Sequence, residues 1–565
     1  MEQKKISGAK ALIESLLLEG VDTIFGYPGG AIMPAFDALY DYDKKVNHIL
    51  TRHEQGATHA AQGYARVSGK VGVCLVTSGP AATNAVTGIA DAMLDSTPMV
   101  VITGQVAAPL LGTDAFQEID VVGITQPITK WAYQIRRAED IAWAVARAFY
   151  IARTGRPGPV VLDITKNAQF AEVDFDYKPC TYIRSYRPIP QVDPDQVKLA
   201  AKLINGAKKP YALVGQGVVL SGAEAELKAF LEKADIPAAW TLLGASAMSS
   251  DFRLNKGFLG MHGNVSPNMK TNECDVLIAI GMRFDDRVTG DLNKYAKQAK
   301  IVHLDIDPAE INKNVKADAP VLGTVKETLP KLMEMLEPAR HTEWIESFSE
   351  FDVKENEIVI KRELYPASGE LTMGEVINRI SIATDHKAVV VTDVGQNQMM
   401  AARYSKYSQT RSLITSGGLG TMGFGLPAAM GAKLGAPERV VCMYTGDGGF
   451  QMTLQELGTI MQEQIGVKMI ILNNHFLGMV RQWQEMFFEE RYSFTEMQNP
   501  DFIAIAKAYR IDGTEVMVRE ELDAAIADML KDDKPYLLVV NVEKKGMVYP
   551  MMPAGAGVTD ILLGE

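Results

Sequence analysis

Short apolar runs alternate with stretches of helical period along nearly the whole chain. Before about residue 170 the runs are TIFGYPGG, HILT, VGVCLVTSGP, MVVITGQV and PVVLDIT. Between about 190 and 340 they are PYALVGQG, VLIAIGMRF and KIVHLDIDP, and from about 370 onward AVVVTDVG, RVVCMYTGDGG, KMIILNN and PYLLVVNVE. Near-continuous Val/Ile/Leu runs suit strands covered on both faces, and strands alternating with helices make parallel sheets. The pattern predicts an α/β protein of three domains, 1–185, 186–345 and 365–565, each with a mainly parallel sheet flanked by helices. FDYKPCTYIRSYRPIPQVDPDQ reads as the first connector, and the charged, helix-like EPARHTEWIESFSEFDVKENE as the second. The first and third blocks share a plan of strand, glycine-rich turn, small-residue helix and strand, without a repeat at residue level.

Composition narrows the partners. The chain has 565 residues, 47% hydrophobic and 22% charged, with a net charge of -12. Such an acidic protein is a poor match for nucleic acid or an anionic membrane, though glycine-rich loops and metal ions still bind phosphate locally. No apolar stretch approaches the roughly 18 residues of a membrane span, and the N-terminus lacks the pattern of a secretory signal. Cys74, Cys180, Cys274 and Cys442 are scattered, with no CxxC pair. Thiols in apolar, strand-like surroundings suit a reducing compartment, so the expected address is cytoplasmic.

The most informative stretch is RVVCMYTGDGGFQMTLQELGTIMQEQIGVKMIILNN. It predicts a strand, a GDGG turn, a helix with Leu454, Leu457 and Ile460 on one face, and a second strand. In a βαβ unit the two strands are parallel, so Asp447 and Asn474 reach the same sheet edge, where ligands bind in open α/β folds. An aspartate and an amide oxygen fill part of a Mg²⁺ shell and leave room for phosphate oxygens and water. Gly446, Gly448 and Gly449 let backbone N–H groups approach those phosphates. A glycine turn chosen only for backbone freedom is the alternative, and the Asn pair at the matching strand end counts against it.

This spacing resembles the motif of the thiamine-diphosphate enzymes. The resemblance implies that Asp447 and Asn474 ligate Mg²⁺ with a main-chain carbonyl near Phe476. It also places Val394, Gly395, Gln396, Gly420, Met422, Gly478 and Met479 at the cofactor. Glu54 lies in RHEQGATHAAQGYAR, at a strand-to-helix junction where the helix dipole alone would favour an acid. The string resembles the family's glutamate motif, which implies that Glu54 hydrogen-bonds the aminopyrimidine ring from a neighbouring subunit. A homodimer or dimer of dimers with interfacial active sites follows.

FGYPGGAIMPAFDAL, TSGPAATNAVTGIADA, GTDAFQE, GRPGPVVLDI, LGMHG, GMRFDDRVTGD, HLDIDPAEI, GLGTMGFGLPAA and LGMVRQWQ extend the likeness to biosynthetic, FAD-containing acetohydroxyacid synthases. That family decarboxylates pyruvate and joins the two-carbon fragment to a second pyruvate or to 2-ketobutyrate. The products, 2-acetolactate or 2-aceto-2-hydroxybutyrate, lead to valine, leucine and isoleucine. The likeness implies FAD at Arg156, Gly215, Gln216, Gly217, Thr241, Leu242, Met261, His262, Gly281, Arg283, Asp285, Arg287, Asp305 and Ile306. It implies substrate contacts at Phe116, Arg287, Met479 and Trp483, with Arg287 on the substrate carboxylate, a task its planar fork suits. Gly30, Gln117 and Lys130 are expected at the active-site entrance or cofactor, and Met422 as the wedge that bends the cofactor. A small regulatory subunit in trans is expected. Asn397 stands where the family often has His, His475-Phe476 where Gln-His is common, and Ala107 where Pro is frequent. Pyruvate oxidase or decarboxylase chemistry and a catalytically silent homologue are the rivals; a nicotinamide dehydrogenase is excluded because no GxGxxG opens the strands.

Overall fold

The computed structural model describes residues 4–564. Three six-stranded sheets organise it, every strand pair within them parallel. The N-terminal sheet takes Thr23–Tyr27, Asn47–Leu50, Gly72–Val76, Met99–Gln105, Trp131–Ile135 and Pro159–Thr165. In space they run second, first, third, fourth, sixth, fifth. The C-terminal sheet, from Val389–Thr392, Leu413–Ile414, Val441–Gly446, Val467–Asn473, Asp512–Val516 and Tyr536–Asn541, has the same order. The shared plan inferred from the pattern is therefore a shared topology.

The middle sheet differs. Its strands Pro210–Val214, Ala238–Trp240, Asn255–Phe258, Val276–Ile280, Lys300–Asp305 and Ala319–Leu322 run third, second, first, fourth, fifth, sixth. That order belongs to dinucleotide-binding folds, with its crevice between the first and fourth strands. Lys4–Ser7 pairs antiparallel with Glu172–Phe175 and ties the ends of the first unit together.

The strands with long apolar runs occupy the sheet interiors and are buried along nearly their whole lengths. Most sheet edges, at Trp131–Ile135, Asn255–Phe258, Ala319–Leu322, Leu413–Ile414 and Asp512–Val516, carry no such run, because one side faces solvent or loops. The second connector is helical, and its Trp344 and Phe348 bury against Tyr211 of the middle unit.

The first and third units meet through two helices of small residues, Glu54–Ser68 and Gly425–Gly435. A Cβ on Gly63 would fall 1.9 Å from the Ala428 carbonyl oxygen, and one on Gly431 1.8 Å from that of Ala60. The glycines are there for backbone-to-backbone contact. This crossing sets the start of the Glu54 helix beside the unit that carries Asp447.

Candidate active site

Val441–Gly446 and Val467–Asn473 are neighbours in register, Gly446 opposite Leu472. Asp447 and Asn474 therefore leave the sheet at the same edge, as the spacing predicts. The GDGG segment is not a tight turn. Gly446 is extended, with φ of -82°, and the helix begins at Asp447 and runs to Thr453. Its glycines serve close packing: a Cβ on Gly449 would sit 2.5 Å from Asp393 Oδ1, and one on Gly448 2.6 Å from Leu477.

Asp447 is fully buried. Its Oδ2 accepts a 2.6 Å hydrogen bond from Asn499 Nδ2, while Oδ1 is buried with no partner. Burial pushes its carboxyl above the usual range, opposed by the Asn499 bond. A buried carboxylate oxygen with no donor is costly unless a cation takes it up. Asn474 Nδ2 donates to Gln396 Oε1 at 3.2 Å, and Asn474 Oδ1 accepts from the Phe476 N–H at 3.2 Å and retains a lone pair. This donor set fits a hard divalent cation.

Around that edge a buried carboxylate and two open glycines shape the loops. Asp393, buried, accepts from the N–H groups of Val394, Gly423 and Gly425 at 2.8–3.1 Å and fixes both loops that flank the edge. Gly395 and Gly420 lie at φ of 138° and 69°, and Cβ atoms there would meet little. Asn397 is buried with its Oδ1 unpartnered, and its Nδ2 lies 3.6 Å from the Cβ position of Gly446. Gly478 is needed for packing as well, since a Cβ there would strike Gln396 Oε1 at 2.1 Å.

A cavity of about 860 Å³ lies between the 394–395 and 416–422 loops of this unit and the middle unit, and Asp447 and Asn474 do not line it. Val394, Gly395, Gly420, Met422, Met479 and Trp483 line one wall. Met479 and Trp483 are half-buried on the cavity face of the helix Gly478–Phe487, and Trp483 packs on Phe487 at 5.2 Å. The opposite face is anchored, because buried Arg481 donates to the Lys545 and Gly546 carbonyls and Gln482 pairs with the Val548 main chain.

The opposite wall gathers Arg156, Gln216, Gly217, Thr241 and Leu242 with Met261 and His262. Gly281, Arg283, Asp285, Arg287, Asp305 and Ile306 complete it. Gly215 lies just behind: a Cβ there would fall 2.2 Å from the Gly281 carbonyl oxygen, so the two strand ends interlock at the crevice. Arg156 bridges two units, donating to Ser96 Oγ at 2.8 Å, Glu310 Oε1 at 2.7 Å and Asp307 Oδ2 at 3.2 Å. Arg287 follows Asp285, which caps its short helix, and its exposed guanidinium contacts Met261 Sδ at 3.6 Å.

Glu54, Gly30, Phe116 and Gln117 do not line that cavity. They gather at the C-terminal edge of the first sheet. Glu54 is the first residue of its helix, and Asn84 Nδ2 donates to its Oε2 at 3.0 Å. Gly30 faces open space, whereas its neighbour Gly29 packs on Thr77. Phe116 is 87% exposed, and Gln117 adopts a φ of 61° against Gly79. Lys130 departs from its expected place. Its ammonium is turned inward onto the carbonyls of Ile151 and Thr154 and the Tyr186 hydroxyl, and burial lowers it to about 8. Lys130 closes the end of the helix Ile141–Arg153.

Asn84, Asp393 and Asn499 escaped the sequence reading; their only signal is proximity in space. Comparison with known proteins places the constellation. Residues 6–124, 197–332 and 393–540 match the N-terminal TPP binding, central and C-terminal TPP binding domains of the thiamine pyrophosphate enzymes. The acetolactate synthase isozyme 2 large subunit of Escherichia coli (strain K12) is 44% identical over 559 residues, 99% of this chain and 99% of that protein. The chain belongs to the acetolactate synthase large subunits. The acetolactate synthase large subunit of Parasynechococcus marenigrum (strain WH8102) is 46% identical over 97% of this chain and 90% of its own. That of Lactococcus lactis subsp. lactis (strain IL1403) is 45% identical over 98% and 95%. As an acetolactate synthase the chain carries thiamine-pyrophosphate-binding domains at both ends, and among its described residues no helix is long and apolar enough to cross a membrane.

Proposed function

We propose that this chain makes 2-acetolactate and 2-aceto-2-hydroxybutyrate from pyruvate and 2-ketobutyrate, as a cytoplasmic homodimer or dimer of dimers with each active site built from two chains. The observation that carries it is the buried, unpartnered Oδ1 of Asp447 at the strand edge it shares with Asn474. Thiamine diphosphate, when bound, supplies the acidic thiazolium carbon and the electron sink for decarboxylation.

The protein's own groups do the rest. Asp447 and Asn474, with the main chain near Phe476, hold Mg²⁺ against the diphosphate, and Gly446 and Asn397 flank it. Glu54, steadied by Asn84, would accept a hydrogen bond from N1′ of the aminopyrimidine and so favour the ring's N1′-protonated form. Glu54 does not line its own chain's cavity, which supports a site completed by a second copy. Arg287 binds the carboxylate of the second keto acid in two-pronged fashion. Met422, Met479 and Trp483 exclude water, which limits loss of the two-carbon fragment as acetaldehyde.

FAD is proposed against the middle unit, supported by its dinucleotide-type strand order and the Gly215–Gly281 crevice. Arg156 would then serve as both domain clamp and flavin neighbour. The relatives' name, large subunit, supports a small regulatory subunit in trans. The test combines product analysis with Glu54→Gln. Acetolactate should form from pyruvate, and the variant should lose at least about 100-fold in kcat while staying folded. Acetyl phosphate or acetaldehyde as the main product would overturn the assignment, and near-normal turnover by the variant would remove Glu54 from it.

A further inference from the structure

Glu456 belongs to the C-terminal unit, yet its carboxylate is spent on the N-terminal one. It ends the 3-10 turn Leu454–Glu456 that continues the helix Asp447–Thr453. The side chain is fully buried. Its two oxygens accept the Arg52 N–H at 3.0 and 3.1 Å, the His53 N–H adds a further backbone hydrogen bond, and the Thr459 hydroxyl donates to Oε2 at 2.9 Å. Arg52 and His53 immediately precede Glu54. A Cβ on Gly56, in the first turn of the Glu54 helix, would stand 2.4 Å from Glu456 Oε1, so glycine is what lets the carboxylate reach the backbone. The Arg52 guanidinium grips the same segment from the other side, at the Gly458 carbonyl and Gln462 Oε1.

Burial pushes the Glu456 carboxyl up to about 7, against the pull of the N–H groups. Nothing in the metal-binding edge or the cavity requires an acid at this position. A buried carboxylate capping another unit's backbone is an expensive fastening unless the position it fixes matters.

We propose that Glu456 is the positioning residue for Glu54, a rigid strut between the segment that starts at the metal-binding Asp447 and the residues on which Glu54 is mounted. The proposal rests on the role assigned to Glu54 above. In a dimer with interfacial sites, Asp447 of one chain serves one site and Glu54 of the same chain serves the other, so the strut joins the two sites mechanically. A displacement of Glu54 by a fraction of an ångström changes its contact with N1′ and leaves the substrate and metal contacts in place.

The test is hydrogen–deuterium exchange at the thiazolium C2 of thiamine diphosphate bound to the full-length holoenzyme, which reads the work of Glu54 without turnover. Glu54→Gln should slow exchange by at least about 100-fold, and Glu456→Gln by about ten-fold. In Glu456→Gln the KM for pyruvate and the affinity for cofactor and Mg²⁺ should stay within about two-fold. Thr459→Val, which removes the hydroxyl shared between Oε2 and the Leu50 carbonyl, should slow exchange by a few-fold and is the variant to use if Glu456→Gln does not fold. Normal exchange in Glu456→Gln, or in Thr459→Val where Glu456→Gln fails to fold, with slow exchange in Glu54→Gln, overturns the strut. So does slow exchange that merely tracks lost cofactor. Normal exchange in Glu54→Gln overturns the assignment of Glu54 instead.

Discussion

Asn499 holds one carboxylate oxygen of Asp447 at 2.6 Å and leaves the other buried and unpaired. The same Asn499 amide donates to Asn473 Oδ1 at 2.9 Å, and Gln451 donates to Asn499 Oδ1 at 3.1 Å. Asp447 is thereby fixed with one oxygen taken and the other left free at the edge where Asn474 also leaves the sheet.

Asn499→Ala should let the Asp447 carboxylate rotate and should raise the Mg²⁺ concentration for half-maximal activity by about ten-fold. Titrating metal into chelator-treated protein measures it. An unchanged midpoint would show that Asn499 does not orient the ligand.

Arg156 joins Ser96 of the first unit to Glu310 and Asp307 of the middle one. Arg156→Ala leaves the buried Glu310 with only the longer Lys313 ion pair and should cost about 1–3 kcal/mol in denaturant unfolding, the guanidinium being partly exposed. Flavin content per chain should fall in the same protein. Arg156→Lys should recover little, because one ammonium cannot span the three acceptors.

Trp483 is held against Phe487 and half-exposed to the cavity. Trp483→Leu should shift the product ratio away from 2-aceto-2-hydroxybutyrate by about ten-fold in a mixture of both keto acids, an effect the size of one or two methyl contacts. Turnover on pyruvate alone should change less. An unchanged ratio would move the choice of second substrate elsewhere in the cavity.

Burial holds His48, His59 and His262 in neutral form, His48 at about 4. Burial lowers His59 to about 3 and His262 to about 4. The unfolded chain takes up these protons near pH 6.5 and the folded chain only below about 4, so acidification through that window destabilises the fold. The histidines contribute a downward slope of melting temperature from pH 6.5 to 4, opposed by the burial-raised carboxyls of Glu363 and Glu456 at about 7. His59→Gln should flatten part of that slope; an unaltered slope would assign the loss to other groups.

Legibility followed burial. Strands covered on both faces, such as Met99–Gln105 and Val467–Asn473, appear in the chain as unbroken apolar runs. Edge strands such as Trp131–Ile135 and Asp512–Val516 have no such mark, since only part of each contacts the core. Lys130 was placed by resemblance alone, and only its contacts with Ile151, Thr154 and Tyr186 show its charge turned inward.

The Asp447–Asn474 pair, the Glu54 junction and the α/β plan were determined by the chain alone, because each is encoded within one strand–helix–strand unit, where parallel geometry carries spacing into position. Which oxygen of Asp447 stays free, what steadies Glu54, and how Arg156 and Glu456 fasten one unit to another were decided only by tertiary structure. These contacts join residues far apart in sequence, some by more than 400 positions in the case of Arg52 and Glu456. No local period records such a meeting, because the energy that fixes it comes from burial and hydrogen bonding between surfaces that exist only once the units have folded.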